Sequence, residues 1–256
     1  MDIAQTIILS AVEGITEFLP ISSTGHLILV SQILGVNQTE FVKSFEIIIQ
    51  FGAILAVVAL YWKRFLDTKI WPQIISAFIP TAVIGFLFFK IIKNYLIGNS
   101  TITVIALVLG GVAFIVFELW NRKRDFKIHS IEELDIKKSF AIGLVQSISI
   151  IPGVSRAGAT ILGSMILGVD RKTATQFSFF LAVPTMLAAT GFDVIKTQLS
   201  FSTQQLTMLA IGFLGSFVFA LFAVKLLIKY VSNHDFIPFG VYRILVGVAF
   251  YVIFLR

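Results

Sequence analysis

The chain has 256 residues, 57% of them hydrophobic and 13% charged, with a mean hydropathy of +0.94. That charged fraction is about half the roughly 25% of a soluble domain, and apolar stretches of about 20 residues recur throughout, so an all-α polytopic membrane protein is expected. The lack of cysteine excludes disulfides and thiolate chemistry, and the net charge of +6 sits in short loops, where it reports topology rather than nucleic-acid binding.

In chain order the apolar segments run over about 3–19, 24–35, 41–62, 72–97, 101–121, 139–151, 158–168, 173–197, 205–231 and 237–256. The first begins Met1-Asp2 without basic residues and contains Glu13, so it does not read as a cleavable signal peptide. Two pairs are short and interrupted by Pro, Gly and Ser, at Pro20 to Gly25 and at Pro152 to Gly158. Broken hydrophobic pieces at corresponding places in two halves point to re-entrant elements around a polar cavity.

The halves do correspond. Val12-Glu13-Gly14-Ile15 falls on Val145-Gln146-Ser147-Ile148, Ser22-Ser23-Thr24-Gly25 on Ser155-Arg156-Ala157-Gly158, and Leu34-Gly35 on Leu167-Gly168. Near the ends of the halves, Gly111-Val112-Ala113-Phe114 recurs as Gly247-Val248-Ala249-Phe250. The expected architecture is one integral membrane domain of two inverted-topology repeats, about 1–125 and 137–256. Each would hold one re-entrant helix pair and three transmembrane helices. An odd number of spans inverts the second half. Lys63, Arg64, Lys69, Arg122, Lys123, Arg124, Lys127, Lys137, Lys138, Arg171, Lys172, Lys225 and Lys229 then share one side, against Lys43, Lys90, Lys93, Lys196 and Arg256 on the other. The basic side should be cytoplasmic, with both termini and the 197–205 connection outside. A plain ten-span bundle is the alternative, and it shares the basic residues more evenly. In the re-entrant topology the two tips meet near the bilayer midplane, bringing Ser22 to His26 close to Ser155 to Thr160.

Chemistry concentrates at those tips. Glu13 and Glu17 are four apart and share a helix face. Two such carboxylates in a poorly solvated site need compensation, by a proton, by Arg156 or by a divalent metal. Two carboxylates with phosphate oxygens would suit Mg²⁺ or Ca²⁺. Ser22, Ser23 and Thr24 stand where a helix restarts, as caps or as part of an anion cradle. His26, in the first turn, can move protons near neutral pH. In the second break Arg156 requires an anion and its fork suits phosphate. Ser155 and Thr160 add hydroxyls, and Gly153 and Gly158 permit close backbone approach. An Arg156–glutamate ion pair joining the tips is the structural alternative. Glu46, Gln50, Glu118, Asp193 and Arg243 are further polar groups in or near spans; Glu46 and Gln50 could extend the polar lining, and for Arg243 and Glu118 an interfacial or structurally paired role stands beside a functional one. His129 and His234 fall in polar loops.

The runs EGITEFLPISSTGH (13–26) and PGVSRAGAT (152–160) resemble the two signature motifs of the undecaprenyl-diphosphatases, also called bacitracin resistance proteins. The similarity extends over nearly the full length, through FEIIIQFGAILAVV (45–58), ATQFSFFLAVP (174–184) and Tyr242-Arg243-Ile244-Leu245-Val246-Gly247. Glu46 and Ala157 are conservative departures, where aspartate and serine are common in the family. The resemblance implies removal of one phosphate from a C55 isoprenyl diphosphate, recycling the lipid carrier of cell-wall synthesis in a bacterial plasma membrane. It also implies interwoven inverted repeats and a site open to the outer face. Glu13, Glu17, Ser23, His26 and Arg156 would be catalytic, and Ser22, Thr24, Gly153, Ser155 and Thr160 substrate-binding. Glu13 and Glu17 would be candidates to hold a divalent cation. The nucleophile is Ser23, His26 or water. A polyprenyl diphosphate lipid and the bilayer are the expected partners, with a homodimer left open. The rival reading is a lipid flippase or secondary transporter, whose architecture also uses broken helices at the midplane. An acid-phosphatase-type lipid phosphatase is set aside, because no second catalytic histidine follows Arg156 in a suitable place.

Overall fold

A computed structural model describes residues 1–88, 95–96, 99–122, 125–196 and 201–256, with only the backbone for 192–196. Lys90, Lys93, Lys123, Arg124, residues 197–200 of the 197–205 connection, and the side chains of Asp193 and Lys196 therefore lie outside the described residues. The described chain is almost wholly helical. Its helices are α1 (Ile3–Thr16), α2 (Ser23–Ile33), α3 (Glu40–Phe65), α4 (Trp71–Leu87), α5 (Ser100–Asn121), α6 (Ile136–Gln146), α7 (Arg156–Ile166), α8 (Arg171–Lys196), α9 (Thr203–Val231) and α10 (Ile237–Phe250). Short 3-10 turns cover Thr68–Ile70 and Ser147–Ile150. Among the described residues the sole β pairing is an isolated bridge between Ile128 and Val169.

The helix starts follow from local chemistry. Asp2 and Ser202 form reciprocal caps with Gln5 and Gln205, while Thr39, Asn99 and Asp135 cap α3, α5 and α6. Pro72 and Pro238 occupy the first turns of α4 and α10, where a missing N–H is harmless. Pro80 and Pro184 lie inside α4 and α8, each removing one backbone hydrogen bond.

Five helices among the described residues are long and apolar enough to cross a membrane: α3, α4 with its preceding turn, α5, α9, and α10 with its C-terminal extension. The 26-residue α8 is as long as α3. Outward faces carry Leu109, Phe222, Leu226, Leu245 and Phe86, all well exposed. So much exposed apolar surface suits lipid, not water. Inside, Phe18 meets Phe179 edge to face at 5.3 Å within a core that includes Ile54, Val57, Phe177 and Phe180.

The short helices stay short because the chain breaks at the two Pro/Gly/Ser stretches. α1 and α2 pack as one pair and α6 and α7 as another. α1 and α3 lie on α9, α6 and α8 lie on α4, α5 lies against α10, and α3 against α8. Small residues allow this closeness: at Gly14 a Cβ would stand 2.5 Å from the Ser216 carbonyl of α9. One end of the bundle gathers basic loops. Arg64 pairs with Glu132 at 2.8 Å, the backbone of Lys127 and Ile128 bonds to Gly168, and Arg171 pairs with Glu118. At another end Gln5 donates to the Leu34 carbonyl and Phe41 meets Phe201.

Candidate active site

The two breaks share an unusual backbone. Ser22 (φ 72, ψ 93) and Ser155 (φ 75, ψ 115) are the two non-glycine residues with positive φ among the described residues. A side chain there costs of order 1–3 kcal/mol, a strain that persists only where surroundings impose it. Each serine caps the helix that follows, accepting from the N–H of Gly25 (3.4 Å) or Gly158 (3.0 Å). The Ser-x-x-Gly spacing thus makes the same turn twice, and the N-termini of α2 and α7 border one cavity of about 150 Å³. Glu17, Ser22, Ser23 and Thr24 line it from one break; Ser149, Pro152, Gly153, Ser155 and Arg156 line it from the other; Gln50 and Met186 complete the wall.

A hydrogen-bonded chain crosses this cavity. Ser23 Oγ donates to Glu17 Oε2 at 2.5 Å, and Arg156 Nη2 donates to Glu17 Oε1 at 2.9 Å. Arg156 Nη1 donates to the Ser178 carbonyl at 2.9 Å, and its guanidinium lies 5.7 Å from the Phe18 ring centre. These contacts hold the fork in place while its Nε, among the described residues, has no hydrogen-bond partner. Glu17 and Arg156 are about 5% and 12% exposed, a shielded site where charge is effective.

The other site residues predicted from sequence lie behind this lining. Glu13 is fully buried beside Glu17; among the described residues no N–H or O–H donates to its two oxygens, which lie within electrostatic reach of Glu17, Glu46 and Arg156. The His26 ring bonds the Ser22 carbonyl through Nδ1 (2.8 Å) and the Tyr242 hydroxyl through Nε2 (2.8 Å). A carbonyl only accepts, so Nδ1 carries the proton, and in the neutral ring Nε2 accepts from Tyr242. Thr160 donates to Gln146 Oε1 at 2.9 Å, and Gln146 Nε2 donates to Thr81 Oγ1 at 2.9 Å. Glu46, expected to extend the lining together with Gln50, accepts from Gln38 at 3.3 Å. Ser178 and Tyr242 reach this network from the runs 174–184 and 242–247, which resemble the family but gave no sign that these two residues belong to the site.

Arg243 is the largest fully buried side chain described. It donates to the carbonyls of Pro20 and Gly153 (2.9 Å each) and of Ala106 and Leu107 (3.2 Å each). Pro20 and Gly153 belong to the two breaks, so one guanidinium ties both to α5. Gly153 has φ +92 and lies so close to the Thr103 carbonyl that a Cβ would collide with backbone. Glu118, about 1% exposed, binds Arg171 and accepts the Phe236 N–H at 3.1 Å. It is thus a structural pair at the basic end of the bundle.

Glu13 and Glu17 are the carboxylates a hard cation would use, although both oxygens of Glu17 already accept, from Ser23 and from Arg156. Among the described residues no group of three or more acidic, histidine or cysteine side chains could hold a metal ion. The buried Glu13 carboxylate beside Glu17, which receives no donor among the described residues, nevertheless fits an ion that draws its other ligands from phosphate and water.

Residues 6–249 match the family model described as "Bacitracin resistance protein BacA". A protein of Sulfurihydrogenibium sp. (strain YO3AOP1) named undecaprenyl-diphosphatase is 52% identical over 252 residues, 98% of this chain and 99% of the relative. Proteins of the same name from Aquifex aeolicus (strain VF5) and Wolinella succinogenes are 52% and 50% identical. These alignments cover 98% of this chain, with 98% and 97% of the respective relatives.

Proposed function

This chain belongs to the bacitracin resistance protein BacA family, and we propose that the pocket between its two helix breaks is where it cleaves its substrate. The protein is a membrane-embedded hydrolase of undecaprenyl diphosphate, giving undecaprenyl phosphate and inorganic phosphate, and so serves cell-wall synthesis. The observation that carries the site assignment is the Ser23–Glu17–Arg156 chain in a cavity bordered by two helix N-termini.

The physical argument runs from charge. A diphosphate needs donors and positive potential, and Arg156 with the N-terminal ends of α2 and α7 supplies both. Phosphoryl transfer then depends mainly on positioning and charge neutralisation. On diphosphate binding, Arg156 exchanges its contact with Glu17 for phosphate oxygens. Freed of that cation, Glu17 becomes the better base for the Ser23 proton it already accepts. Ser23 Oγ attacks the terminal phosphorus, its proton passes to Glu17, and the bridging P–O bond breaks to release the lipid monophosphate. Water then cleaves the phosphoserine and the proton returns to Ser23. His26 and Tyr242 hold the first turn of α2, and with it Ser22 and Ser23, and can relay a proton at its edge. Thr24, Gly153 and Ser155 contact the phosphates. Thr160 acts from behind, through Gln146. A divalent cation, Mg²⁺ or Ca²⁺, held chiefly by Glu13 beside Glu17, would supply further neutralisation of phosphate charge.

The packing pattern supports reading the chain as one membrane domain of two inverted repeats. Exchanging α1–α5 for α6–α10 in order maps α1 on α9 onto α6 on α4, α3 on α9 onto α8 on α4, and returns α5·α10 and α3·α8 to themselves. The gathering of Arg64, Lys127, Arg171 and their neighbours at one end supports a cytoplasmic basic face and a pocket open to the outer side of the plasma membrane.

Purified protein in detergent should release one phosphate per polyprenyl diphosphate without a membrane gradient. Substrate movement in sealed vesicles with no phosphate release would instead favour a transporter.

A further inference from the structure

A second space adjoins the polar pocket. It encloses about 430 Å³ between α4, the Ser147–Ile150 turn and α8, and Ser149 stands in the wall of both spaces. Its sides are Phe78, Ala82, Gly85 and Phe86 of α4, Ile150 of the turn, and Ala188 and Ala189 of α8. Thr81 and Thr185 also line it, but their hydroxyls are spent on the carbonyls of Gly143 (3.0 Å) and Leu181 (2.7 Å). The walls therefore offer methyl, methylene and ring surface. Each proline inside a helix, Pro80 or Pro184, immediately precedes one of these threonines. At the rim Phe86 is 71% exposed on the apolar outer face of α4, beside Val83 and Leu87.

We propose that this groove receives the first isoprene units of the substrate tail, so that the lipid enters between α4 and α8. The assignment rests on the phosphatase reading of the polar pocket. A tail bonded to a diphosphate held there must leave through adjoining space, and the groove reached past Ser149 is apolar and leads to lipid. The volume falls within the roughly 300–1,000 Å³ of small-ligand sites. It holds a few isoprene units, leaving the rest of a C55 chain in the bilayer. Small residues set the width: a Cβ at Gly85 would meet only Ile150 Cδ1, at 3.8 Å. A larger side chain there fills the groove without disturbing backbone.

The test is Gly85→Leu, assayed for phosphate release from a C55 diphosphate and for inhibition of that release by inorganic pyrophosphate. The expected result is a rise of about tenfold or more in KM for the C55 substrate, with kcat and the pyrophosphate inhibition constant unchanged. An unchanged KM, or a parallel shift in pyrophosphate inhibition, overturns the groove assignment. In a second arm, a farnesyl diphosphate analogue with a diazirine in its first isoprene unit is photolysed on the wild-type protein. Labelling should fall on 78–86, 149–150 or 185–189; labelling confined to α3 or α9 overturns the assignment. Wild-type protein that releases no phosphate would sink the phosphatase reading, and this proposal with it. Normal turnover with labelling elsewhere sinks the groove alone.

Discussion

Replacing Arg243 probes how the two helix breaks are held in register. Its four contacts are charge-assisted, each worth about 1.5–3 kcal/mol, or about 6–12 kcal/mol if all are realised. Against this stands the cost of burying a guanidinium, several kcal/mol, since its described partners are carbonyls rather than carboxylates. The net value is a few kcal/mol. Arg243→Met removes both the bonds and the buried charge, leaving the Pro20 and Gly153 carbonyls short of a donor. At about 1–3 kcal/mol for each orphaned carbonyl, we expect a loss of roughly 2–6 kcal/mol. Arg243→Lys keeps the charge but loses the planar fork that spans both breaks. It should therefore be at least as destabilising as the methionine variant, despite being the conservative change. For a chain of this size 1 kcal/mol moves the unfolding midpoint by about 2–4 °C. Heat inactivation in detergent should place Arg243→Lys about 5 °C or more below wild type, with phosphate release largely lost. A lysine variant with wild-type midpoint and turnover would refute the claim that this fork aligns the breaks.

Other consequences can be checked with the same protein. Gly153→Ala should destabilise by about 2–4 kcal/mol, because a Cβ at φ +92 meets the Thr103 backbone; a normal unfolding midpoint would count against that packing. Glu118→Ala should cost about 2–3 kcal/mol, below the 3–5 kcal/mol of a fully buried pair because Arg171 is partly exposed. Its kcat should stay near wild type in protein that remains folded, since Glu118 lies at the basic end and not in the pocket. Chelation should lower phosphate release, with Mg²⁺ or Ca²⁺ restoring it. Unchanged turnover would remove the cation and leave the diphosphate to Arg156 and the two helix ends.

Much of this arrangement was legible along the chain. The Pro/Gly/Ser interruptions marked both breaks, and the helices found there begin within two residues of the expected positions. The offset match of Ser22–Gly25 with Ser155–Gly158 pointed to corresponding breaks in two halves; that both make the same turn was not readable, because positive φ at serine rather than glycine carries no local signal. An ion pair between Arg156 and a glutamate was one of the open alternatives for these buried charges, and the structure pairs Arg156 with Glu17. What the sequence could not convey were contacts made across long separations. Arg243 reaches carbonyls 90 to 223 positions away, and Arg171 finds Glu118 53 positions away. Backbone acceptors carry no residue identity, so nothing at Pro20 or Gly153 announces an arginine. His26 illustrates the limit from the other side: its place in the first turn of α2 was readable, but its Tyr242 partner sits on the last long helix.

The most direct test is turnover by Glu17→Gln. Glutamine keeps the shape and can still accept from Arg156, so the protein should fold normally. Its amide cannot take the Ser23 proton, and phosphate release from polyprenyl diphosphate in detergent should fall about 10²- to 10⁴-fold. Folded Glu17→Gln protein with turnover within a few-fold of wild type would contradict the account.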